Sequence, residues 1–561
     1  MPALAPSQPS AGPAAPAKLR GADALVAGLL EAGITRVFTL SGNHIMPVFD
    51  AALDSGLALI HTRHEASTVH MADAWARLTG QVGVALVTGG PGHANAISAL
   101  YTATMAESPV LLLSGHAPLN ELGMGAFQEM RQADLAAPLC KASWTVESPE
   151  TMAADLARAL KLAASGRPGP VHLSLPVDVL EGACPPEAMR APPPVAPPSQ
   201  AQVSAPAQQT LELLKQAKRP LILAGPACMH AAMRGRLHAL QTALGVPVIG
   251  MESPRGIQDP ALGEFPGLLA RADLIVLLGK RLDFTLKFGA WPGIDAACRF
   301  IQFDAETQEL ERNRRQLGQR LLLAALSGPA QAIDALLAGA AGAPLHAAWT
   351  EEVQAGLARR AAPNAGLAGA MHPLQALAPL QEILSSHPQA VLVCDGGEIG
   401  QWAQAALSAP YRVINGVAGA IGAGIPFALA ASMAHPGAPV VAVMGDGSFG
   451  FHCSEIDTAV RCALPVLLVV GNDARWNAEY QIQLRQYGPQ RLNGCTLLPT
   501  SYEQVAIGFG GHGELVTEAE QVLPAAQRAL ASGLPACLNL MVQGLPAPAF
   551  AVPAPVRKGA A

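Results

Sequence analysis

Short apolar runs of strand length alternate with stretches of helical pattern along this chain, and this alternation constrains the fold more than any other feature. In the first third of the chain, strand-like runs occur at residues 37–40, 82–87 and 110–113, with a helical pattern at 66–78. Strands that alternate with helices pair in parallel, because each helix carries the chain back along the sheet before the next strand begins. The alternation therefore predicts an α/β fold in which helices cover a parallel sheet.

Two stretches rich in proline, alanine and glycine divide the alternation into three units of similar size. They are APPPVAPPS at residues 191–199 and a second stretch at 360–372, and such composition is typical of linkers. Strand-like runs of the later units lie at residues 220–224, 274–278, 299–303, 391–394, 440–444 and 466–470. We predict three consecutive doubly wound parallel-sheet domains. The expected parts are a disordered tail at 1–17, domains at 18–185, 206–345 and 371–545, linkers at 186–205 and 346–370, and a C-terminal tail at 546–561.

Composition and charge exclude several classes of function. A net charge of −6 with scattered Lys and Arg offers no basic stripe, so nucleic acid is not an expected partner. No apolar run reaches the roughly 18 residues of a membrane span, and residues 1–17 lack the pattern of a signal peptide. The nine cysteines form no CxxC pair, which favours free thiols in a reducing compartment. We expect a cytoplasmic protein that acts on a small molecule.

The third unit contains two motifs that together favour a phosphate and metal site. The apolar run at 440–444 leads into Gly-Asp-Gly-Ser at 445–448, and a helical pattern begins at residue 454. Glycines let the backbone approach a phosphate closely, and Asp446 offers a hard oxygen ligand for a divalent cation. One helix later, the run at 466–470 leads into Asn472 and Asp473. The carboxyl ends of neighbouring parallel strands meet at one edge of a sheet, where α/β proteins bind ligands.

This pair of motifs resembles the cofactor motif of thiamine diphosphate enzymes, in which Gly-Asp-Gly is followed by a helix, a strand and Asn-Asn. The resemblance implies that Asp446, Asp473 and the backbone carbonyl of Arg475 hold Mg²⁺. Asp473 departs from the family, because it stands at the usual spacing from Asp446 where the family has Asn. A one-residue deletion in the strand would make Asn472 the ligand instead, but the intervening helix and strand give no sign of shortening.

A further motif, Arg-His-Glu at 63–65, follows an apolar run and opens a helical pattern. By itself, a Glu at a helix start is usually a partner of the helix dipole. The spacing of His64 and His70 does not put two zinc ligands on one helical face. In the acetolactate synthase-like branch of the thiamine diphosphate enzymes, a Glu in a His-Glu pair contacts the pyrimidine ring. The resemblance therefore implies that Glu65 activates the cofactor.

Other segments extend the resemblance over residues 20–545 and imply a pyrimidine-binding, a middle and a diphosphate-binding domain, in that order. In the third domain, the Gly419 carbonyl would accept a hydrogen bond from the cofactor's amino group, and Ile421 would force the cofactor into a bent shape. The glycines at 416–424 do not have the spacing of a dinucleotide-binding loop. The residues expected to bind the cofactor are Gly396, Gly397, Glu398, Gly419, Ile421, Gly445, Gly447, Ser448 and Trp476.

The expected reaction depends on the middle domain and on two residues of the first. Residues 273–284 look closest to 2-hydroxyacyl-CoA lyase and oxalyl-CoA decarboxylase. His44 matches the active-site histidine of benzaldehyde lyase and would move the substrate's hydroxyl proton, while Gln128 would bond a cofactor or substrate oxygen. The resemblance implies a carbon–carbon lyase or carboligase that acts on 2-hydroxy carbonyl compounds, either an acyloin or a 2-hydroxyacyl-CoA, through a cofactor-bound carbanion.

Two alternatives stay open at this stage. One is acetolactate synthase, which joins 2-oxo acids with decarboxylation, and the other is a nucleotide- or flavin-binding protein with an inactive thiamine site. The resemblance allows FAD, an adenine nucleotide or CoA in the middle domain near Lys280, Arg281 and Lys287, although no residue there requires one. In this family the catalytic Glu reaches a cofactor held by the neighbouring chain, so the resemblance implies a homodimer at least and a homotetramer by analogy.

Overall fold

The computed structural model describes residues 19–190, 203–340, 345–360 and 370–549 of the 561-residue chain. The predicted tail at 1–17, the proline-rich stretch 191–199 and residues 550–561 lie outside the described residues. Within the described residues three parallel sheets follow one another, which confirms the predicted fold class. The bounds of the domains and linkers stay predictions.

The first sheet has six strands in the order β2-β1-β3-β4-β6-β5. The strands are β1 (Arg36–Thr39), β2 (Ala58–His61), β3 (Gly83–Val87), β4 (Val110–His116), β5 (Ala142–Thr145) and β6 (Val171–Pro176). The helices are α1 (Gly21–Glu31), α2 (Met46–Ala52), α3 (Glu65–Thr79), α4 (Pro91–Met105), α5 (Gln132–Ala136), α6 (Met152–Ala164) and α7 (Val177–Glu181).

The second sheet has five strands in the order β11-β10-β9-β7-β8. The strands are β7 (Pro220–Ala224), β8 (Val248–Gly250), β9 (Leu274–Leu278), β10 (Arg299–Asp304) and β11 (Leu321–Leu326). The helices are α8 (Ser204–Gln216), α9 (Ala231–Leu244), α10 (Phe265–Leu269), α11 (Thr307–Leu317), α12 (Pro329–Gly339) and α13 (Ala347–Ala358).

The third sheet has six strands in the order β13-β12-β14-β15-β17-β16. The strands are β12 (Val391–Cys394), β13 (Tyr411–Ile414), β14 (Val440–Gly445), β15 (Leu467–Asn472), β16 (His512–Val516) and β17 (Ala536–Met541). The helices are α14 (Pro373–Leu377), α15 (Gln381–Ser385), α16 (Gly397–Ala406), α17 (Gly424–Ala434), α18 (Asp446–His452), α19 (Glu455–Arg461), α20 (Asn477–Tyr487), α21 (Tyr502–Gly508) and α22 (Ala519–Ala531).

Helices cover both faces of the sheets, and this explains why the strands are apolar throughout. In β14, Val440, Ala442 and Met444 pack into one core, whereas Val441 and Val443 pack into a second core on the opposite face. Strands buried on both faces need apolar side chains at every position rather than at alternate ones. The continuous apolar runs of the sequence are therefore the strands of a doubly wound fold.

The first and third sheets have the same strand order. In both sheets, the direction in which successive strands are added along the sheet reverses at the same place. The reversal lies between β1 and β3 in the first sheet and between β12 and β14 in the third. Open α/β sheets bind ligands in the crevice outside the carboxyl ends of the strands at such a reversal. The fold thus provides two candidate crevices, one in each of these domains.

Buried contacts join the three domains of the chain. Helix α3 of the first domain packs against α17 of the third within one apolar core. Arg167 of the first domain pairs with Glu107 and reaches into the middle domain, where it donates to Asp304 at 2.6 Å and to the Gly279 carbonyl at 2.9 Å. Breaking such a buried ion pair costs about 3–5 kcal/mol. These contacts fix the relative positions of the two crevices.

Candidate cofactor-binding and active site

The carboxyl ends of β12, β14 and β15 open into a cavity of about 320 Å³ at the reversal point of the third sheet. Its walls contain all the cofactor and metal candidates that the sequence assigned to this domain. These residues are Gly396, Gly397, Glu398, Gly419, Ile421, Gly445, Asp446, Gly447, Ser448, Asp473, Arg475 and Trp476. Residues as far apart in sequence as Gly396 and Trp476 therefore meet at one edge of the sheet.

Asp446 is the first residue of α18, directly after β14, and it is only 2% exposed. Its Oδ1 accepts a hydrogen bond from the Gly447 amide at 2.9 Å, but its Oδ2 has no hydrogen-bond partner among the described residues. Burial raises the pKa of Asp446 to about 6. A buried carboxylate oxygen without a partner is energetically costly, so the position favours a ligand that supplies positive charge.

Asp473 lies across the same cavity at the end of β15, and burial, followed by the charge of Asp446, raises its pKa to about 7. The alternative ligand Asn472 is buried and does not line the cavity. Its side-chain amide donates to the Thr500 carbonyl and to Asn539, and its Oδ1 accepts from the Ala474 amide. The two aspartates are thus the pair available to a cation in this cavity.

A hard divalent cation fits this donor set, since Mg²⁺ takes oxygen ligands from one or two carboxylates and completes its shell with substrate phosphates and water. Within the described residues, no group of three or more His, Cys, Asp or Glu side chains could hold a metal. A cation between Asp446 and Asp473 would therefore take further ligands from backbone or cofactor oxygens.

Glycines keep the backbone open around the two aspartates. A Cβ atom on Gly447 would lie 2.5 Å from the ring of Trp476, and one on Gly396 would lie 2.4 Å from Ile421. No side chain fits at either position without displacing its neighbour. The packing of the cavity wall therefore requires glycine at both positions, and the same glycines would let a phosphate approach the backbone closely.

Asp395 holds two loops of the cavity together, although it is buried beneath the surface. Its carboxylate accepts hydrogen bonds from the amides of Gly396 (2.6 Å), Gly422 (3.0 Å) and Gly424 (2.9 Å). Burial raises the pKa of Asp395 to about 6. The carboxylate thereby fixes the loop that carries Gly419 before any ligand binds.

Sequence reasoning missed several residues of the cavity wall. Arg255 comes from the middle domain and forms a salt bridge with Glu398 at 3.1 Å. Asn415 and Gln401 also line the cavity, and each has a buried side-chain oxygen without a partner among the described residues. No local motif marks these positions, because they reach the site only through the packing of separate elements.

A second group of residues surrounds the carboxyl ends of the first sheet. His44 is 2% exposed, and its Nδ1 lies 3.2 Å from the Thr88 hydroxyl. Its Nε2 lies 3.2 Å from the Phe127 carbonyl, and the Phe127 ring stacks on the imidazole. Burial lowers the pKa of His44, so the neutral imidazole predominates near neutral pH.

Glu65 is the first residue of α3 and belongs to the same group. Its Oε2 accepts a hydrogen bond from the Asn95 side chain at 3.0 Å. A Cβ on Gly92 would lie 3.4 Å from Oε1 of Glu65 and 2.8 Å from the Thr88 methyl, so Glu65 and Thr88 face each other across this glycine. Thr88 in turn contacts His44, which brings two predicted catalytic residues into one cluster.

Gln128 completes this cluster from the loop before α5. It follows Phe127 and has a left-handed backbone with φ of 57°, which is uncommon for a residue other than glycine. A Cβ on Gly90 would meet the Cβ of Gln128 at 2.8 Å, so the loop lies directly over the glycine turn after β3. All three predicted catalytic residues therefore lie around the first crevice, and none of them lines the cavity of the third domain.

The three cationic side chains that the sequence places near a possible nucleotide site of the middle domain differ in their exposure. Lys280 is 1% exposed and donates to the Arg281 carbonyl at 2.9 Å and to Asp283 at 3.2 Å. Arg281 is half-buried and pairs with Glu306 at 3.4 Å, whereas Lys287 is exposed. Of the three, Lys287 is thus the side chain most open to a nucleotide.

Among the described residues, no helix combines the length and the apolar character needed to cross a membrane.

Family models match the chain in three consecutive segments. Residues 19–135 match the N-terminal thiamine pyrophosphate (TPP) binding domain of thiamine pyrophosphate enzymes, residues 207–320 the central domain, and residues 395–540 the C-terminal TPP binding domain. Two cofactor-binding domains on either side of a central domain define an enzyme that depends on thiamine diphosphate. The chain belongs to the thiamine pyrophosphate enzyme family.

Individual relatives match over almost the full length of both chains. A probable acetolactate synthase of Mycobacterium bovis is 32% identical, over 94% of this chain and 96% of the relative. The 2-hydroxyacyl-CoA lyase 2 of Homo sapiens is also 32% identical, over 92% of this chain and 89% of the relative. The 2-hydroxyacyl-CoA lyase 2 of Caenorhabditis elegans is 32% identical over 88% and 84%. The chain is thus about equally similar to two kinds of enzyme.

Proposed function

We propose that this enzyme is a thiamine diphosphate-dependent carbon–carbon lyase or carboligase that acts on 2-hydroxy carbonyl compounds, an acyloin or a 2-hydroxyacyl-CoA. The observation that carries the proposal is the cluster of His44, Glu65 and Gln128, because it supplies a base, an acid and an amide beside one crevice. The similarity to 2-hydroxyacyl-CoA lyase 2 supports the same substrate class.

The third-domain cavity would hold the diphosphate and Mg²⁺, with Asp446 and Asp473 as the carboxylate ligands and the Arg475 backbone carbonyl as a third. The partnerless Oδ2 of Asp446 and the orientation of Asn472 away from the cavity support this set over one that contains Asn472. When bound, thiamine diphosphate supplies an electron sink that stabilises negative charge on the substrate carbon. Gly419 and Ile421 would orient the cofactor, and Trp476 would cover it.

His44 is suited to take a proton from the substrate hydroxyl. The Phe127 carbonyl can only accept a hydrogen bond, so Nε2 of the neutral imidazole carries the hydrogen and Nδ1 accepts from the Thr88 hydroxyl. A proton from the substrate would therefore reach Nδ1 through the Thr88 hydroxyl. Glu65 would hold a proton at the pyrimidine ring of the cofactor, and Gln128 would donate to a substrate oxygen.

The relation between the two groups of residues supports a homodimer as the smallest active unit. Glu65 belongs to the first domain, whereas the cavity is lined by residues of the middle and third domains alone. A neighbouring chain would bring its Glu65 to this cavity, as the family resemblance implies. We extend the proposal to a homotetramer in the cytoplasm, and to an adenine nucleotide, CoA or FAD at the exposed Lys287 side of the middle domain.

The second candidate is acetolactate synthase activity, which the equal identity to the Mycobacterium bovis relative supports. The family resemblance also favours the lyase, since acetolactate synthases have a second acid and an arginine where this chain has Phe284, Thr285 and Leu286. Purified enzyme with thiamine diphosphate and Mg²⁺ should cleave benzoin or a 2-hydroxyacyl-CoA. Release of carbon dioxide from pyruvate would assign the second candidate instead.

Thermal unfolding tests for an inactive thiamine site. A ligand that binds the native state must stabilise the native state, so no rise in melting temperature with cofactor and Mg²⁺ would indicate an inactive site.

Glu65→Gln tests the mechanism common to both candidates. The substitution keeps the shape of the side chain but removes its acid, so we expect turnover to fall by at least about 100-fold while the circular dichroism spectrum is unchanged. Glu121→Gln, which neutralises an exposed carboxylate of the same domain, should leave turnover unchanged. Near-normal activity of Glu65→Gln would contradict the assigned role.

A further inference from the structure

The cavity of the third domain contains more negative charge than its own side chains compensate. Asp446 and Asp473 both line it, and no salt bridge of either is found within the described part of the chain. The nearest cationic side chain in sequence, Arg475, places its guanidinium over the Tyr480 ring at 4.4 Å. Arg255 is already paired with Glu398. Two carboxylates therefore share one cavity, and neither has a salt-bridge partner among the described residues.

This arrangement is unfavourable for the protein alone. Asp446 lines the cavity and is 2% exposed, and its buried Oδ2 has no hydrogen-bond partner among the described residues. Like charges in a poorly solvated space repel each other, and each loses part of its hydration. A divalent cation cancels both charges at once and supplies the partner that Oδ2 lacks. A single carboxylate at this place would leave half of that cation's charge to be neutralised by the diphosphate.

We infer that the Asp446–Asp473 pair binds a divalent cation in the absence of thiamine diphosphate, and that the cation-loaded cavity is the form that accepts the diphosphate. The inference rests on the proposed function of this cavity. Without a cation, the negative charge of the pair would repel an incoming diphosphate. With one bound, the pair and its cation carry no net charge. The coupling is reciprocal, so bound cofactor must also raise the affinity of the site for the cation. The aspartate pair alone already gives a measurable affinity for the cation.

Mn²⁺ is a suitable probe, because its free form can be followed directly by electron paramagnetic resonance. Full-length protein freed of metal and cofactor should bind one Mn²⁺ per chain, and Mg²⁺ should compete for the same site. Asp473→Asn keeps the shape and an oxygen ligand but removes one charge. We expect it to weaken Mn²⁺ binding without cofactor by roughly tenfold or more, since ligand charge count sets the affinity of such sites.

Glu479→Gln is the matched control, since it removes a carboxylate that lines the same cavity but is exposed to solvent. Its effect on Mn²⁺ affinity should stay below about threefold, because solvent screens an exposed charge. Unchanged circular dichroism spectra would show that both variants fold. Equal loss in the two variants would overturn the inference, because general electrostatics would then explain the binding.

The remaining outcomes separate the inference from the proposed function. If Mn²⁺ binds only when thiamine diphosphate is present, the inference is wrong and the proposed function stands. If Mn²⁺ binds under neither condition, the proposed function of the cavity fails as well. If Asn472→Ala weakens Mn²⁺ binding and Asp473→Asn does not, the ligand is Asn472 and the carboxylate pair has no role in metal binding.

Discussion

The charge state of His44 follows from the way the chain surrounds it. The ring is buried between Thr88 and Phe127, and both nitrogens have a hydrogen-bond partner. Burial disfavours the charged imidazolium and moves the pKa below its ordinary value of 6.5. A neutral imidazole can accept a proton, so the surroundings of His44 fit the role of a base that we propose for it.

This charge state predicts the pH dependence of the reaction. Because the pKa of His44 is lowered, the base stays unprotonated at slightly acidic pH, and the acidic limb of kcat/KM should lie below pH 6.5. The measurement is kcat/KM between about pH 5 and about pH 8. Thr88→Ser, which keeps the hydroxyl, should preserve the limb, whereas Thr88→Val should lower kcat/KM by about tenfold or more. A limb above pH 6.5 would contradict a buried neutral base.

At the level of single residues, the sequence predicts those that belong to a local motif. Asp446 stands in Gly-Asp-Gly after an apolar run, and Glu65 stands in a His-Glu pair at a helix start, so their neighbours mark them. Asp395 stands directly before Gly396 and Gly397 of the predicted cofactor site, but its contacts, like those of Arg255, arise only when the chain folds. Arg255 crosses from one domain to another, and the hydrogen bonds of Asp395 to Gly422 and Gly424 join two separate loops. No short-range pattern records such contacts.

Among the elements, α18 shows how packing overrides local propensity. The sequence pattern starts a helix at residue 454, because the glycines before it are poor helix formers. The structure instead starts α18 at Asp446, inside the Gly-Asp-Gly motif, and begins α19 at Glu455. Phe449 of α18 is buried in the core shared by the first and third domains, which holds this glycine-rich turn in helical form.

Two glycines of α18 allow a matched test of this element. A Cβ on Gly447 would lie 2.5 Å from the Trp476 ring, whereas one on Gly450 would meet no atom within 4 Å. Overpacking costs about 1–3 kcal/mol, so Gly447→Ala should weaken thiamine diphosphate binding by about tenfold. Gly450→Ala should retain binding and raise stability by up to about 1 kcal/mol, because Ala favours helix. Isothermal titration and thermal unfolding measure both effects, and equal binding by both variants would refute the role of this contact.

For the whole molecule, the alternation of the sequence predicts three α/β domains but not the shared strand order of the first and third sheets. Strand order depends on pairings between distant segments, such as β1 with β3, which leave no mark in local composition. The same limit applies to the packing of α3 against α17. These long-range contacts decide near which crevice each predicted catalytic residue lies.

Complementation between chains tests the proposal that two chains share an active site. A chain with Glu65→Gln and a chain with Asp446→Asn are each inactive by this mechanism, but a mixed dimer contains one site with both groups intact. Random mixing yields mixed dimers as half of the total, so activity should recover to about a quarter of the wild-type value. Co-expression of the two chains with different affinity tags, followed by tandem purification, gives the mixed dimer directly. No recovery there would place Glu65 and the cavity within one chain.

The contacts of the Arg167 guanidinium affect whether the first domain can be exchanged between related enzymes. It lies between Glu107 of its own domain and Asp304 of the next, with the Gly279 carbonyl as a further acceptor. A first domain transplanted onto a different middle domain would keep Glu107 but would lose the contacts of Arg167 to Asp304 and to the Gly279 carbonyl. Exchange of whole domains is therefore unfavourable at the boundary between the first and middle domains.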